Sequence, residues 1–259
     1  MLRFFRKIRQ NLLSENRVGR YFAYALGEIL LVVIGILIAL QVNNYRESEQ
    51  TRGREQVFLQ GLRSDLQLNL KELERCINRY QSAARSAEAM IAYFEGAPVT
   101  DQGSFNYHAM EVMRWEPFLR NNSTLKELIS SGSLGILSDQ RLKSELLRME
   151  LAYDKIDVAQ EHMRFDYQEY LYAPFFQVGD VGHAFKSYLA HMEGRGDQPD
   201  TNPMDPGVVA TLLGDPAFKN GFSLCILNSR DLIGELQALE ASSVQLLERI
   251  DSQLTHAEP

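Results

Sequence analysis

Five histidines, His108, His162, His183, His191 and His256, are the side chains best suited to hold a transition metal or to move a proton near neutral pH. None of them has the H-E-x-x-H spacing, or any other spacing, that brings two ligands to one face of a helix. Asp197, Asp200, Asn202 and Asp205 crowd the segment GRGDQPDTNPMDPG, and oxygen ligands this close suit calcium. Their order is not that of an EF-hand, and Pro199, Pro203 and Pro206 fit a plain turn segment. Ser130 to Gly135 (SSGSLG) has the composition of a phosphate cradle. It lacks a lysine after the second glycine and follows the helical spacing of Leu125, Leu128 and Ile129, so Gly132 reads as a helix end. Trp115, Tyr167 and Tyr170 offer an aromatic cluster, but aromatics at helical spacing usually fill a core. No nucleophile elbow, Walker loop or dinucleotide fingerprint occurs. The expectation is a protein with no catalytic residues, no metal and no cofactor.

Cys76 and Cys225 are the only two cysteines. Each sits on the apolar stripe of a long helix. Outside the cytoplasm a disulfide between them is chemically allowed if those helices pack side by side in register. Two separate buried thiols are the alternative.

The charge of the chain is segregated. Residues 1–20 hold six basic residues and one acid, Glu15, and residues 21–42 hold only Glu28. The net charge of −7 therefore comes wholly from beyond residue 42. That sign excludes general nucleic-acid binding. Between Tyr21 and Val42 the centre, ILLVVIGILIAL (Ile29–Leu40), has no polar side chain. As a helix, 21–42 covers about 30 Å at about 1.5 Å per residue, enough to cross a bilayer core. Tyr21, Phe22 and Tyr24 flank one end and Tyr45 the other, as interfacial aromatics do. No small-x-small cleavage site closes the run, so it reads as an uncleaved signal anchor. The basic flank places the N-terminus in the cytoplasm and residues 43–259 in the bacterial periplasm.

Leu2, Phe5, Ile8 and Leu12 share one helical face, with Arg3, Arg6, Lys7 and Arg9 on the others. Such a basic amphipathic helix lies on an anionic membrane surface. Within the span, Ala23, Gly27, Gly35 and Ala39 recur at multiples of four. Small residues at this spacing let helices approach closely in lipid. Glu28, near the cytoplasmic interface, either snorkels, meets a partner helix or relays a proton.

The stretch FFRKIRQNLLSEN (Phe4–Asn16), followed by YALGEILLVVIGILIALQVNN (Tyr24–Asn44), resembles the opening of an uncharacterised family of bacterial single-pass inner-membrane proteins, classed as a domain of unknown function. STLKELISSGSLGILSDQRL (Ser123–Leu142) resembles a second segment of it. The resemblance implies a membrane anchor and an exported helical domain, and it supplies no activity and no site residues.

Beyond the span every periodic segment is helical. Leu59, Leu62, Leu66, Leu70, Leu73, Ile77, Tyr80, Ala84, Ala87, Ile91 and Phe94 recur in steps of three or four, up to the stop at Gly96-Ala-Pro98. The step from Leu66 to Leu70 interrupts a strict heptad. A second long helix starts after Ser138 or Asp139 and ends at Pro174. A third is capped by Asp215 with Pro216 as its first residue. Shorter helices are expected near 104–114, 123–131, 182–192 and 206–213. The expected fold is all-α: one N-terminal transmembrane helix and an elongated periplasmic helical bundle. The expected function is a membrane-anchored structural or interaction protein, an accessory or scaffold subunit. Its partners would be the lipid bilayer and other membrane subunits or a second copy of itself. The alternative is a periplasmic ligand-sensing domain that signals through a partner, since twenty cytoplasmic residues cannot form an output domain.

Overall fold

The computed structural model describes residues 18–195 and 204–256. The basic residues Arg3, Arg6, Lys7 and Arg9, and the loop residues Asp197, Asp200 and Asn202, lie outside that range. Among the described residues all regular structure is helical. The chain forms two compact units, Met1–Val57 and Phe58–Pro259. Helix α1 (Val18–Phe94) begins in the first and ends in the second.

In the second unit α1 is followed by α2 (Gln102–Met113), α3 (Ser123–Ser130), a 3-10 turn (Ser133–Ile136) and α4 (Gln140–Asp166). A π-helical segment (Tyr167–Tyr172), α5 (Ala173–Val178), α6 (Val181–Ala190), α7 (Pro206–Leu213) and α8 (Pro216–His256) complete it. The helix starts follow from local chemistry. Asp139 accepts from the N–H groups of Arg141 and Leu142, and Asp215 from that of Ala217, satisfying donors that have no partner within the helix. Gly132, at φ 66°, takes the left-handed conformation that ends α3.

The three long helices share one core whose buried positions alternate in steps of three and four. In α1 the seam runs through Leu59, Leu62, Leu66, Asn69, Leu73, Cys76, Tyr80, Ala83, Ala87 and Met90, with Ile77, Arg79 and Ser86 buried beside it. In α4 they run from Leu142 to Met163 through Leu146, Met149, Tyr153, Ile156 and Gln160. In α8 they run from Phe218 to Ile250 and include Ser229 and Ser243. This is the 3.5-residue period of helices that interlock in coiled-coil fashion. The break expected at Leu70 is absent, because Asn69 occupies the buried position and Leu70 is only half-buried. Hydropathy cannot see this. Asn69 is admitted to the core because its amide is fully engaged. Nδ2 donates to Asn121 O (2.8 Å) and to the Tyr153 hydroxyl (2.7 Å), and Oδ1 accepts from Asn121 N (2.7 Å). A single satisfied polar group in an apolar seam fixes the register of its neighbours. Ala84, Ile91 and Leu247 likewise give way to Ala83, Met90 and Leu246.

Pro174 does not end the second long helix. After Asp166 the backbone widens into the π segment, where Ala173 N–H bonds to Gln168 O, five residues back. Pro174 then sits in the first turn of α5, where its missing N–H costs nothing. The π segment packs against α8 at Gly221. A Cβ there would lie 2.6 Å from Leu171 Cδ2 and 2.8 Å from Tyr170 O, so no larger residue fits.

Asp101 caps α2. Its carboxylate accepts from the Ser104 hydroxyl (2.5 Å) and from the N–H groups of Gly103 and Ser104. The Ser104 hydroxyl is the main reason its pKa lies below the ordinary 3.8. The stabilisation is therefore present above that ordinary value and is lost as pH falls through the lowered folded value. Asp101→Ala is expected to cost about 0.5–2 kcal/mol at pH 7. The gap to wild type should close below pH 4 in a series of chemical melts.

Candidate functional site

In the first unit the described residues form one helical run that is exposed throughout from Leu26 to Val42. An 18-residue window of mean hydropathy 2.5 is 0% buried. Ile29, Leu30, Leu31, Leu37 and Ile38 are all at least 58% exposed. By length and composition this helix can span a membrane. Gly27, Gly35 and Ala39 lie exposed along it, with open space beside both glycines, and Glu28 is exposed as well. Ala23 lies in the same helix.

The second unit carries a further uncovered apolar row. On α4, opposite the core seam, Leu147, Leu151, Val158 and Phe165 are 43%, 69%, 72% and 56% exposed. At about 100° per residue they fall within about 40° of one another, forming a single stripe along the helix. Aligned exposure of this kind is unusual for a surface that stays in water.

The chemically richest region surrounds the C-terminus of α2. The Arg79 guanidinium enters from α1. Its Nη1 donates to Glu111 Oε1 at 2.6 Å, its Nε and Nη2 donate to Arg114 O, and Nη2 also donates to Glu111 O. A cation is thus plugged onto the free carbonyls of a helix end, where the helix dipole favours it. Both charged side chains are buried, 6% and 7% exposed. The other Glu111 oxygen accepts from the Tyr188 hydroxyl (3.0 Å), which in turn accepts from Arg114 Nη1 (2.5 Å). Glu116 takes the remaining edge of Arg114 and also pairs with Arg75. Tyr172 donates to Met113 O at 2.6 Å.

Beside this network lies a cavity of about 260 Å³. Met110 and Met113 of α2 meet Tyr172 and Phe176 on one side and Val181, Phe185 and Tyr188 on the other, with Arg114 at the edge. The aromatic members stack in pairs, Tyr172 on Phe176 at 5.8 Å and Phe185 on Tyr188 at 6.4 Å between centroids. Phe176, Val181 and Phe185 are 60%, 42% and 47% exposed, so the hollow opens to solvent between them.

The sequence-derived candidates fare unevenly. Cys76 and Cys225 are both buried free thiols, and the cross-link the sequence allowed is not made. Their helix faces meet different neighbours. Cys76 Sγ lies 3.8 Å from Pro117 O, whereas Cys225 Sγ contacts the Tyr167 hydroxyl at 3.3 Å. Burial pushes the Cys76 thiol up to about 12 and raises Cys225 too. Native protein at pH 8 should therefore resist thiol-directed alkylation at both sites and react at both once denatured. Of Trp115, Tyr167 and Tyr170, Tyr167 is a buried core residue on Cys225. Among the described residues no three His, Cys, Asp or Glu side chains converge as metal ligands. Asp205 caps α7 through Gly207 N–H. Sequence reasoning missed Arg79, Glu111 and the pocket altogether. The only available signal was a charged residue of α1, Arg79, next to the apolar Tyr80.

Residues 28–89 match the model of a family of unknown function, DUF6090. The match takes in most of the apolar span and much of the α1 seam. It leaves out the stretches 4–16 and 123–142. No curated protein and no solved structure matches the chain.

Proposed function

We propose that the protein is a membrane-anchored interaction module, an accessory or scaffold subunit of an inner-membrane complex with no catalytic activity of its own. The observation that carries the reading is the apolar window in α1, 0% buried among the described residues. An exposed apolar helix of this length is stable in lipid and not in water. The basic residues before it orient the N-terminus toward the cytoplasm and the acidic second unit toward the periplasm. Arg3, Arg6, Lys7 and Arg9 hold the inner leaflet, and Gly27, Gly35 and Ala39 supply a face for a neighbouring helix. The stripe Leu147, Leu151, Val158 and Phe165 gives the second unit a surface for a protein partner.

The test is photo-crosslinking of the full chain in native membranes from positions 151 and 158. Defined crosslinked species should form, and the paired substitution L147E/F165E, at the flanking stripe positions, should abolish them without lowering the melting temperature. Crosslinks that persist in that variant, or a chain that stays uncrosslinked, would sink the interaction reading. The pocket beside α2 favours the second reading, a periplasmic ligand-sensing domain that signals through such a partner.

A further inference from the structure

We infer that the cavity beside α2 is a binding site for a neutral hydrocarbon group of about ten carbon atoms, the ring or chain portion of an amphiphile. The inference rests on the ligand-sensing reading only for its biological use; binding itself is a property of the pocket.

Three observations select this chemistry. The first is size. An apolar cavity of roughly 150 Å³ holds one benzene, and this one is about 260 Å³. The second is the state of the polar groups. Arg114 and the hydroxyls of Tyr172 and Tyr188 are the polar members of the lining, and all three are already engaged. The Tyr188 hydroxyl donates to Glu111 and accepts from Arg114, the Tyr172 hydroxyl donates to Met113 O, and Arg114 also pairs with Glu116. Three guanidinium groups, Arg75, Arg79 and Arg114, face three carboxylates, Glu72, Glu111 and Glu116, so no net charge is left over for an anionic ligand. A carboxylate, phosphate or sugar would lose water here and gain no partner. The third is the wall. Two stacked aromatic pairs flank two methionines, whose polarizable, unbranched side chains adapt to either a ring or a chain. The network that saturates the polar atoms also holds the hollow open. Tyr172 is tied to Met113 O and Tyr188 to Glu111, so the aromatic walls cannot collapse onto the methionines.

The experiment uses the full chain in lipid nanodiscs and a neutral ten-carbon alkyl diazirine. Illumination should attach the probe to peptides containing Met110, Met113 and residues 172–188, as well as to the lipid-embedded span. Decanol should compete for the pocket peptides, and decanoate should do so no better. Val181→Trp, at a half-exposed position at the opening, should cut pocket labelling at least tenfold and leave span labelling unchanged. Met110→Trp gives a second, deeper plug. Labelling confined to the span, labelling indifferent to V181W, or competition by decanoate alone would each overturn the assignment. So would pocket labelling that decanol leaves intact and a co-purified protein removes, because the occupant would then be a protein side chain. If the probe binds as expected but leaves the crosslinks from positions 151 and 158 unchanged, the site stands and the sensing reading fails.

Discussion

Replacing Glu111 by alanine is expected to destabilise the second unit by about 3–5 kcal/mol, because it leaves the Arg79 guanidinium buried without its carboxylate. Arg79→Ala should cost a similar amount, since it strands Glu111 together with the carbonyls of Glu111 and Arg114. Domains of this kind are stable by only about 5–15 kcal/mol, so either change approaches global unfolding. The double variant R79M/E111M should lose less than the sum of the two alanine variants. It removes both charges at once and fills the space with apolar groups. Thermal and guanidinium melts of the four proteins measure this coupling. Additive losses would show that the pair does not act as a unit. Tyr188→Phe, which removes the hydroxyl's bond to Glu111 and the one it accepts from Arg114, should cost about 1.5–3 kcal/mol.

The second large effect concerns the membrane. Ile34→Arg with Leu37→Arg places two charges near the middle of the apolar window. On insertion scales each costs about 2.5–3.5 kcal/mol near the bilayer centre. Both side chains are about half exposed in the protein, 47% and 58%, and neither belongs to the core of the second unit. The double variant should leave the carbonate-resistant membrane fraction while the melt of the second unit stays unchanged. Wild-type chain recovered in the soluble fraction without detergent would refute the anchor. A shortened chain, cut just after Val42, would show instead a signal sequence that is removed.

The long apolar run was readable from residues alone. Twelve consecutive apolar side chains admit few folded fates, and the structure leaves them bare. The helix boundaries were also legible wherever a single local rule decides. Asp139, Asp215 with Pro216, and Gly132 act on their own backbone neighbours, and each does in the structure what its chemistry implies. The period of the seam and most of its phase were visible, and single positions such as Asn69 were not. Hydropathy selected Leu70 over Asn69 because it weighs each side chain against water. The folded protein weighs Asn69 against Asn121 and Tyr153, 52 and 84 residues away along the chain.

The same limit explains the remaining differences. Pro174 ends a helix by local rules, yet the chain stays helical because a π turn absorbs the proline and packs Leu171 against Gly221. Cysteine spacing permits a disulfide, whereas the faces on which α1 and α8 present their thiols send Cys76 to Pro117 and Cys225 to Tyr167. Arg79, Glu111, Arg114 and Tyr188 become a network, and the methionines and aromatics beside them a pocket, only when α1, α2 and α6 meet. Sequence alone thus determined what depends on short-range chemistry and on unbroken hydropathy: the helices, their caps and the exposed apolar run. Which polar groups enter the core, and where the hollow opens, was left to tertiary structure. Burying a charge or an amide is favourable only once its distant partners are in place.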